Sequence, residues 1–156
     1  MKLSTRSRYG TRLMLELAKH FQQGPVHLND IAKRQNISIK YLEQLIIPLK
    51  KANLIRSVRG PRGGYQLNIH PKQIPIGQIL QTLEGDLELT PCLKDPSVCE
   101  RSEQCPTKDI WNQATQAMYK ELDSLTIWDI VQKQCPQLDL TLQANAKCDQ
   151  DGSGSE

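Results

Sequence analysis

The stretch Leu54-Ile55-Arg56-Ser57-Val58-Arg59-Gly60-Pro61-Arg62-Gly63-Gly64-Tyr65-Gln66-Leu67-Asn68-Ile69 decides how this chain folds. Two short β-prone runs, 54–58 and 65–69, flank a tip rich in glycine and proline, the pattern of a β-hairpin. Glycine at such a tip allows close backbone approach. Arg59 and Arg62 stand there with the length and fork geometry to enter a minor groove or grip phosphate. A glycine-rich hairpin alone says little, and its meaning comes from what surrounds it.

Immediately upstream, residues 29–35 predict a brief helix around Ile31-Ala32 that stops at Gln35-Asn36. Residues 40–52 predict a second, with Leu42, Leu45, Ile46 and Leu49 on one face. Two short helices so close together suggest a helix-turn-helix, and a hairpin that follows one is a wing. Pro48 lies inside the second helix, where proline removes a backbone donor and crowds the carbonyl four residues back, so a kink, a closing 3₁₀ turn or an irregularity tolerated near the helix end is expected. Further upstream, Tyr9, Leu13, Leu17 and Phe21 recur every four residues, with Met14 and Ala18 widening the stripe, and predict a helix over 6–21. Gln22-Gln23-Gly24-Pro25 ends it, and 26–28 is a short extended piece.

Charge divides the chain. Residues 1–72 hold 14 Lys/Arg against Glu16, Asp30 and Glu43, a net of +11, whereas residues 73–156 hold 6 Lys/Arg against 14 Asp/Glu, a net of −8. The overall +3 conceals this. A basic first half suits a polyanion, since each Lys or Arg placed on a phosphate releases condensed counterions. The 156-residue length is that of one domain. No run approaches the ~18 apolar residues of a membrane span, and the first residues lead into an amphipathic segment rather than a signal-peptide core. A soluble, cytoplasmic protein with no membrane partner is expected. No carboxylate pair, nucleophile-base set or phosphate loop marks it as an enzyme.

In the second half, Ile76, Ile79, Leu80 and Leu83 predict a helix over 74–84, with Pro75 in its first turn and Gly85 terminating it. From 85 to 106 the periodicity vanishes. Thr107 is then expected to cap a longer helix, with Asp109 in the first turn, where the helix dipole favours a negative charge. Its stripe Trp111, Ala114, Met118, Leu122 and Leu125 would suit a coiled-coil-like seam, pairing with a symmetry mate in a two-fold homodimer or packing only on its own chain. One more short helix over 126–133 contains Trp128, and 149–156 reads as a disordered polar tail. The expected fold is mainly α with a small β wing. It comprises a winged helix-turn-helix over 1–72, a linking helix, cysteine-rich loop and dimerisation helix over 73–133, and a largely disordered tail over 134–156.

Cys92, Cys99 and Cys105 lie among Pro91, Pro96 and Pro106 in a stretch with almost no large apolar residue. Free cysteines usually sit in cores as small hydrophobes, and here there is no core for them. A reducing compartment leaves metal ligation or reversible thiol chemistry. Thiolates at this density suit an iron–sulfur cluster or zinc, although there is no close cysteine pair and His20, His27 and His70 all lie in the other half. Spacing alone leaves cluster, thiol switch and zinc open.

Three stretches carry a resemblance: Leu3-Ser4-Thr5-Arg6-Ser7-Arg8-Tyr9-Gly10, Ile37-Ser38-Ile39-Lys40-Tyr41-Leu42-Glu43-Gln44, and Ser57-Val58-Arg59-Gly60-Pro61-Arg62-Gly63-Gly64-Tyr65. They are similar to the opening, recognition helix and wing of the Rrf2-type bacterial regulators. The three cysteines, with Cys105-Pro106-Thr107-Lys108-Asp109-Ile110-Trp111, resemble that family's cluster-binding, IscR-like branch. The likeness spans roughly 1–133. It implies a homodimeric transcription factor that binds a double-stranded DNA operator and carries an iron–sulfur cluster, 2Fe-2S or 4Fe-4S, on Cys92, Cys99 and Cys105. It places Ser38, Lys40, Tyr41, Glu43 and Gln44 on the recognition helix and Arg59, Gly60, Arg62 and Gly63 on the wing. Gln44 can pair bidentately with adenine, Glu43 can accept from cytosine, and Ser38 and Tyr41 can bond phosphate. Two positions depart from the pattern. Lys108 stands where the IscR-like branch has a ligating histidine, and Arg8 stands where nitric-oxide-sensing relatives have an acidic residue that reaches over from the partner subunit. The fourth ligand is left among Asp109, Glu103, Asp95, Cys135 and an external thiol. The alternative is a cluster-free winged-helix repressor governed by thiol oxidation or by a protein or metabolite partner.

Overall fold

A computed structural model describes residues 3–134. Its helices are α1 Thr5–Lys19, α2 Leu28–Gln35, α3 Ile39–Lys51, α4 Ile76–Glu84, α5 Pro91–Lys94, α6 Lys108–Ser124 and α7 Ile127–Gln134, with 3₁₀ turns at Pro71–Gln73 and Pro96–Val98. Strands β1 Ile55–Val58 and β2 Gly64–Leu67 form an antiparallel hairpin in which Ile55 faces Leu67 and Val58 faces Gly64. The mainly helical fold with its small wing is as the sequence predicts. The tail expected over 134–156, with Cys135 and Cys148, lies outside the described residues apart from Gln134, which ends α7.

The turn between α2 and α3 owes its shape to Asn36, which adopts a left-handed conformation (φ 51°). This lets the Ile37 amide reach back to the Ala32 carbonyl (3.0 Å) and the Asn36 amide to that of Lys33 (3.3 Å), closing α2. Ser38 then opens α3, its hydroxyl accepting from the Tyr41 amide at 3.3 Å. The same device recurs at the other end of α3. Asn53 (φ 58°) lets Leu54 bond the Leu49 carbonyl at 3.0 Å and turns the chain into β1. Pro48 is tolerated near the end of α3. The Ala52 amide bonds the Pro48 carbonyl at 2.9 Å and the helix stays α to Lys51. The carbonyl that Pro48 deprives of a donor belongs to Gln44, an exposed residue outside the core.

One apolar core draws on both sides of residue 72: Leu13, Leu17, Ile31, Leu42, Leu45, Leu49 and Leu54 pack with Ile74, Ile79, Leu83, Ile127 and Val131. Gly10 allows α1 to lie against α4, since a Cβ there would meet Leu83 Cδ1 at 2.1 Å. Three sets of polar contacts brace this core, and the first of them crosses residue 72. Ser4 and Ser7 donate to the Glu84 carboxylate, tying the start of α1 to the end of α4. The Ile76 amide bonds the Leu125 carbonyl (2.8 Å) and the Ile127 amide bonds that of Ile74 (2.9 Å), tying the start of α4 to that of α7. Thr126 and Asp129 cap α7 reciprocally, the hydroxyl donating at 2.6 Å and accepting from the Asp129 amide at 3.3 Å.

Candidate nucleic-acid interface and cysteine loop

Because α3 buries Leu42, Leu45, Ile46 and Leu49, its opposite face is compelled outward. Lys40, Glu43, Gln44, Ile47 and Lys51, at helical spacings of three and four, are all exposed there. Ser38 is exposed at the helix start, its hydroxyl lone pair engaged by the cap and its proton left for an outside acceptor. Tyr41 is half-buried and set edge-on to Tyr9 (5.9 Å between ring centres, 84°). Arg12 lies over the Tyr9 ring at 5.7 Å and donates to Gln35 Oε1 at 2.7 Å. Gln35 in turn donates at 3.0 Å to Glu16, a carboxylate buried to 3% exposure and also contacted by Lys19 and Arg34. A chain of polar and aromatic contacts thus runs from the core of α1 to the recognition helix.

The wing stands beside that face. Lys50 Nζ donates to Ser57 Oγ at 3.1 Å, linking the end of α3 to β1. Arg59, Gly60, Pro61 and Arg62 are exposed at the tip, while Gly63 is buried. A Cβ on Gly63 would lie 2.3 Å from the Val58 carbonyl oxygen, so this glycine shapes the turn from inside. Gly64, at φ 154°, lets β2 pass against the chain at Val26: the Tyr65 amide bonds the Val26 carbonyl (2.9 Å), and the Val26 amide bonds that of Tyr65 (2.8 Å). The structure therefore brings Ser38, Lys40, Glu43, Gln44, Arg59 and Arg62 to the surface. Sequence periodicity did not mark Ile47 or the Glu16–Gln35–Arg12–Tyr9 chain; the signal for Ile47 was an isoleucine lying off the buried stripe.

The cysteine segment is built from short turns. Cys92 is half-buried in α5, with Thr90 Oγ1 at 3.4 Å from its sulfur; Cys99 is exposed after the second 3₁₀ turn; Cys105 is half-buried before α6. The Thr107 hydroxyl lies 3.3 Å from Cys105 Sγ. That hydrogen bond, aided by the Thr107 amide and nearby Lys108, holds the Cys105 thiol below its ordinary range, toward thiolate. Thr107 occupies the N-cap position of α6 without the side-chain capping bond expected of it. Ser102, only 2% exposed and midway between Cys99 and Cys105, has a hydroxyl with no partner. Among the described residues, no three His, Cys, Asp or Glu side chains are gathered as a ready-made metal site. Of the expected fourth ligands, Asp95 already accepts from the Ser97 amide (3.0 Å) and hydroxyl (2.6 Å), which lower its pKa. Glu103 and Asp109 are exposed.

The long helix divides along its length. Met118, Leu122 and Leu125 pack partly against the core, but Trp111 and Ala114 of the same stripe, with Ile110, are exposed. No helix among the described residues is long and apolar enough to cross a membrane.

A helix-turn-helix with an outward polar face on its second helix, followed by an arginine-tipped wing, defines a winged-helix DNA-binding protein. Residues 3–133 match the model of the Rrf2 family, described as iron-dependent transcriptional regulators, and the chain belongs to that family. It is 44% identical over 139 residues to the protein rrf2 of Nitratidesulfovibrio vulgaris, covering 88% of this chain and 93% of that one. Among solved structures it is similar to T. potens IscR (37% identity, TM-score 0.71, 94% of each chain). It is likewise similar to CymR, the global cysteine regulator of B. subtilis (38% identity, TM-score 0.72, 85% of this chain and 98% of that one). Curated IscR and CymR relatives are named as HTH-type transcriptional regulators, not as enzymes.

Proposed function

We propose that this transcriptional regulator binds a two-fold DNA operator as a homodimer, and that an iron–sulfur cluster on Cys92, Cys99 and Cys105 sets its activity. The carrying observation is the joining, in one chain, of a groove-reading face to a loop of three cysteines outside the core. Ser38, Lys40, Tyr41, Glu43 and Gln44 serve the major groove and its phosphates, Arg59 and Arg62 the minor groove, and Gly60 and Gly63 set the shape of the tip that carries them. Dimerisation is supported by the exposed apolar half of α6, where Ile110 is 58% and Trp111 42% exposed.

The donor set fits the cluster chemically. Three soft thiols lie within a short span of sequence, one is already biased toward thiolate, and Ser102, between Cys99 and Cys105 in the sequence, has a buried hydroxyl without a partner. A bound cluster would supply a redox-sensitive, labile centre. This chain's part is to hold it with Cys92, Cys99 and Cys105, and the segment 90–107 must gather these three side chains to do so. A fourth protein ligand is not needed for a sensing site that accepts an external thiol.

The second reading, a cluster-free regulator controlled by its thiols or by a partner, is favoured by the separation of the three cysteines among the described residues and by the likeness to a cysteine regulator. Anaerobic purification with iron and sulfide counts separates the two. The proposal expects brown protein with both elements in stoichiometric amounts and their loss in Cys99→Ala, which remains a folded dimer. Colourless wild-type protein lacking iron and sulfide after anaerobic reconstitution overturns the cluster and leaves the second reading.

A further inference from the structure

We infer that Ile47 is a sequence-determining residue of this regulator, reading the C5-methyl group of a thymine in the major groove. The inference rests on the winged-helix reading above. At 67%, Ile47 is the most exposed of the large apolar side chains among the described residues. Isolated exposed apolar side chains are ordinary on protein surfaces and by themselves carry no meaning. The surroundings of Ile47 give it one, because it stands in the middle of the outward face of α3, with Lys40, Glu43 and Gln44 before it and Lys51 after it. Glu43 and Gln44 are four and three residues upstream, so on a helix they are its direct neighbours on that surface.

A face built to enter a major groove meets hydrogen-bonding base edges and phosphates, and the only apolar group the four standard bases present there is the thymine methyl. Ile47 has no donor or acceptor to offer, and a β-branched side chain on a helix is nearly fixed at χ1, so it presents a stiff apolar surface at little entropic cost. Residue 47 lies about 4.5 Å further along the helix axis than Gln44, on the order of one base step. Its thymine is therefore one or two steps from the base pair that Gln44 contacts. A polar residue here could contact phosphate or any base. Isoleucine disfavours base edges that need a hydrogen-bond partner, and so narrows the operator at that step.

The test uses a chemical change that removes the methyl and nothing else. An operator is selected from a random duplex library with the full-length protein, and each thymine is replaced singly by deoxyuridine. Wild-type affinity falls about fourfold, the worth of one buried methyl, at one thymine per half-site and stays level at the others. Ile47→Ala binds the thymine operator about as weakly as wild type binds the uracil one, and is indifferent to that replacement. Because Ile47 is exposed and alanine favours helix, Ile47→Ala keeps the wild-type circular dichroism and Tm. A wild-type protein indifferent to every replacement, or an Ile47→Ala protein that still loses fourfold at the same thymine, overturns the inference while leaving DNA binding intact. A protein that enriches no duplex overturns both.

Discussion

Glu84 offers the sharpest test of how the two halves are held together. Its Oε1 accepts from the Ser4 amide at 3.1 Å and the Ser7 hydroxyl at 2.5 Å, and the Ser4 hydroxyl donates to it as well. The carboxylate also lies at the start of α1, where the helix dipole favours negative charge. Glu84→Ala removes every one of these bonds. It leaves the Ser7 hydroxyl, on a residue 1% exposed, without its acceptor. An orphaned buried polar group costs about 1–3 kcal/mol, and the loss of charge-assisted bonds at a half-buried site brings the expected total to about 2–3 kcal/mol. Against the roughly 5–15 kcal/mol that holds a typical domain folded, such a loss is easily read in a urea titration at fixed protein concentration.

The pH dependence sharpens it further. Burial works to raise the Glu84 pKa, but the hydrogen bonds from Ser4 and Ser7 outweigh it and the net value lies below the ordinary 4.5. The folded state thus prefers the ionised group. Its stabilisation is complete above the unfolded value and disappears as pH falls through the folded one. Glu84→Gln keeps an acceptor but cannot ionise. Wild type should exceed this variant in stability at pH 7, and the gap should close as pH drops below about 4.5. An offset that stays constant from pH 7 to pH 3, or an Glu84→Ala protein as stable as wild type, refutes the reasoning.

Two further outcomes follow from the interface. Arg59→Ala should weaken operator binding by about 1–3 kcal/mol and reduce the slope of log affinity against log salt by about one, with iron content unchanged, as read by fluorescence anisotropy across a salt series. Gly64→Ala should cost about 2 kcal/mol or more, because its Cβ would lie 2.3 Å from the Val26 carbonyl oxygen in a conformation side chains rarely adopt; thermal unfolding checks it.

The elements legible in the sequence were those that repeat a period or announce an end. The stripes of α1, α3 and α4, the glycine tip of the wing and the stop at Gly85 are local patterns, and each element lies within a few residues of its expected span. Pro48 is tolerated near the end of α3, and its cost there depends on whether the carbonyl it deprives of a donor is sealed from water, which is a tertiary fact. Thr107 stands at the N-cap of α6 as its position predicts, but its hydroxyl contacts Cys105 Sγ and makes no side-chain capping bond. The Ser4–Ser7–Glu84 fastening spans about eighty residues, and no periodicity signals such a contact. Ile47 was hidden for the opposite reason: periodicity identifies what is buried, and it stands where the pattern is silent.

These fastenings bear on how a change in the cysteine segment could reach the groove-reading face. The segment joins the end of α4 to the start of α6. Helix α4 is held at its end by Glu84 and at its start by the paired backbones of Ile74–Ile76 and Leu125–Ile127, and it shares the core with α1 and α3. The far half of α6 is held by Met118, Leu122 and Leu125, and the Tyr119 hydroxyl accepts the Leu87 amide at 2.5 Å. In the first half of α6 Thr115 is buried, but Ile110 and Trp111 are exposed. On the proposed reading, gathering Cys92, Cys99 and Cys105 acts on this half directly, because Cys105 is only three residues from its first turn. If the partner subunit packs there, the pivot for the two winged units is the dimer contact itself. Cluster state would then change the spacing of the recognition helices across the two-fold axis, not the fold of either reader.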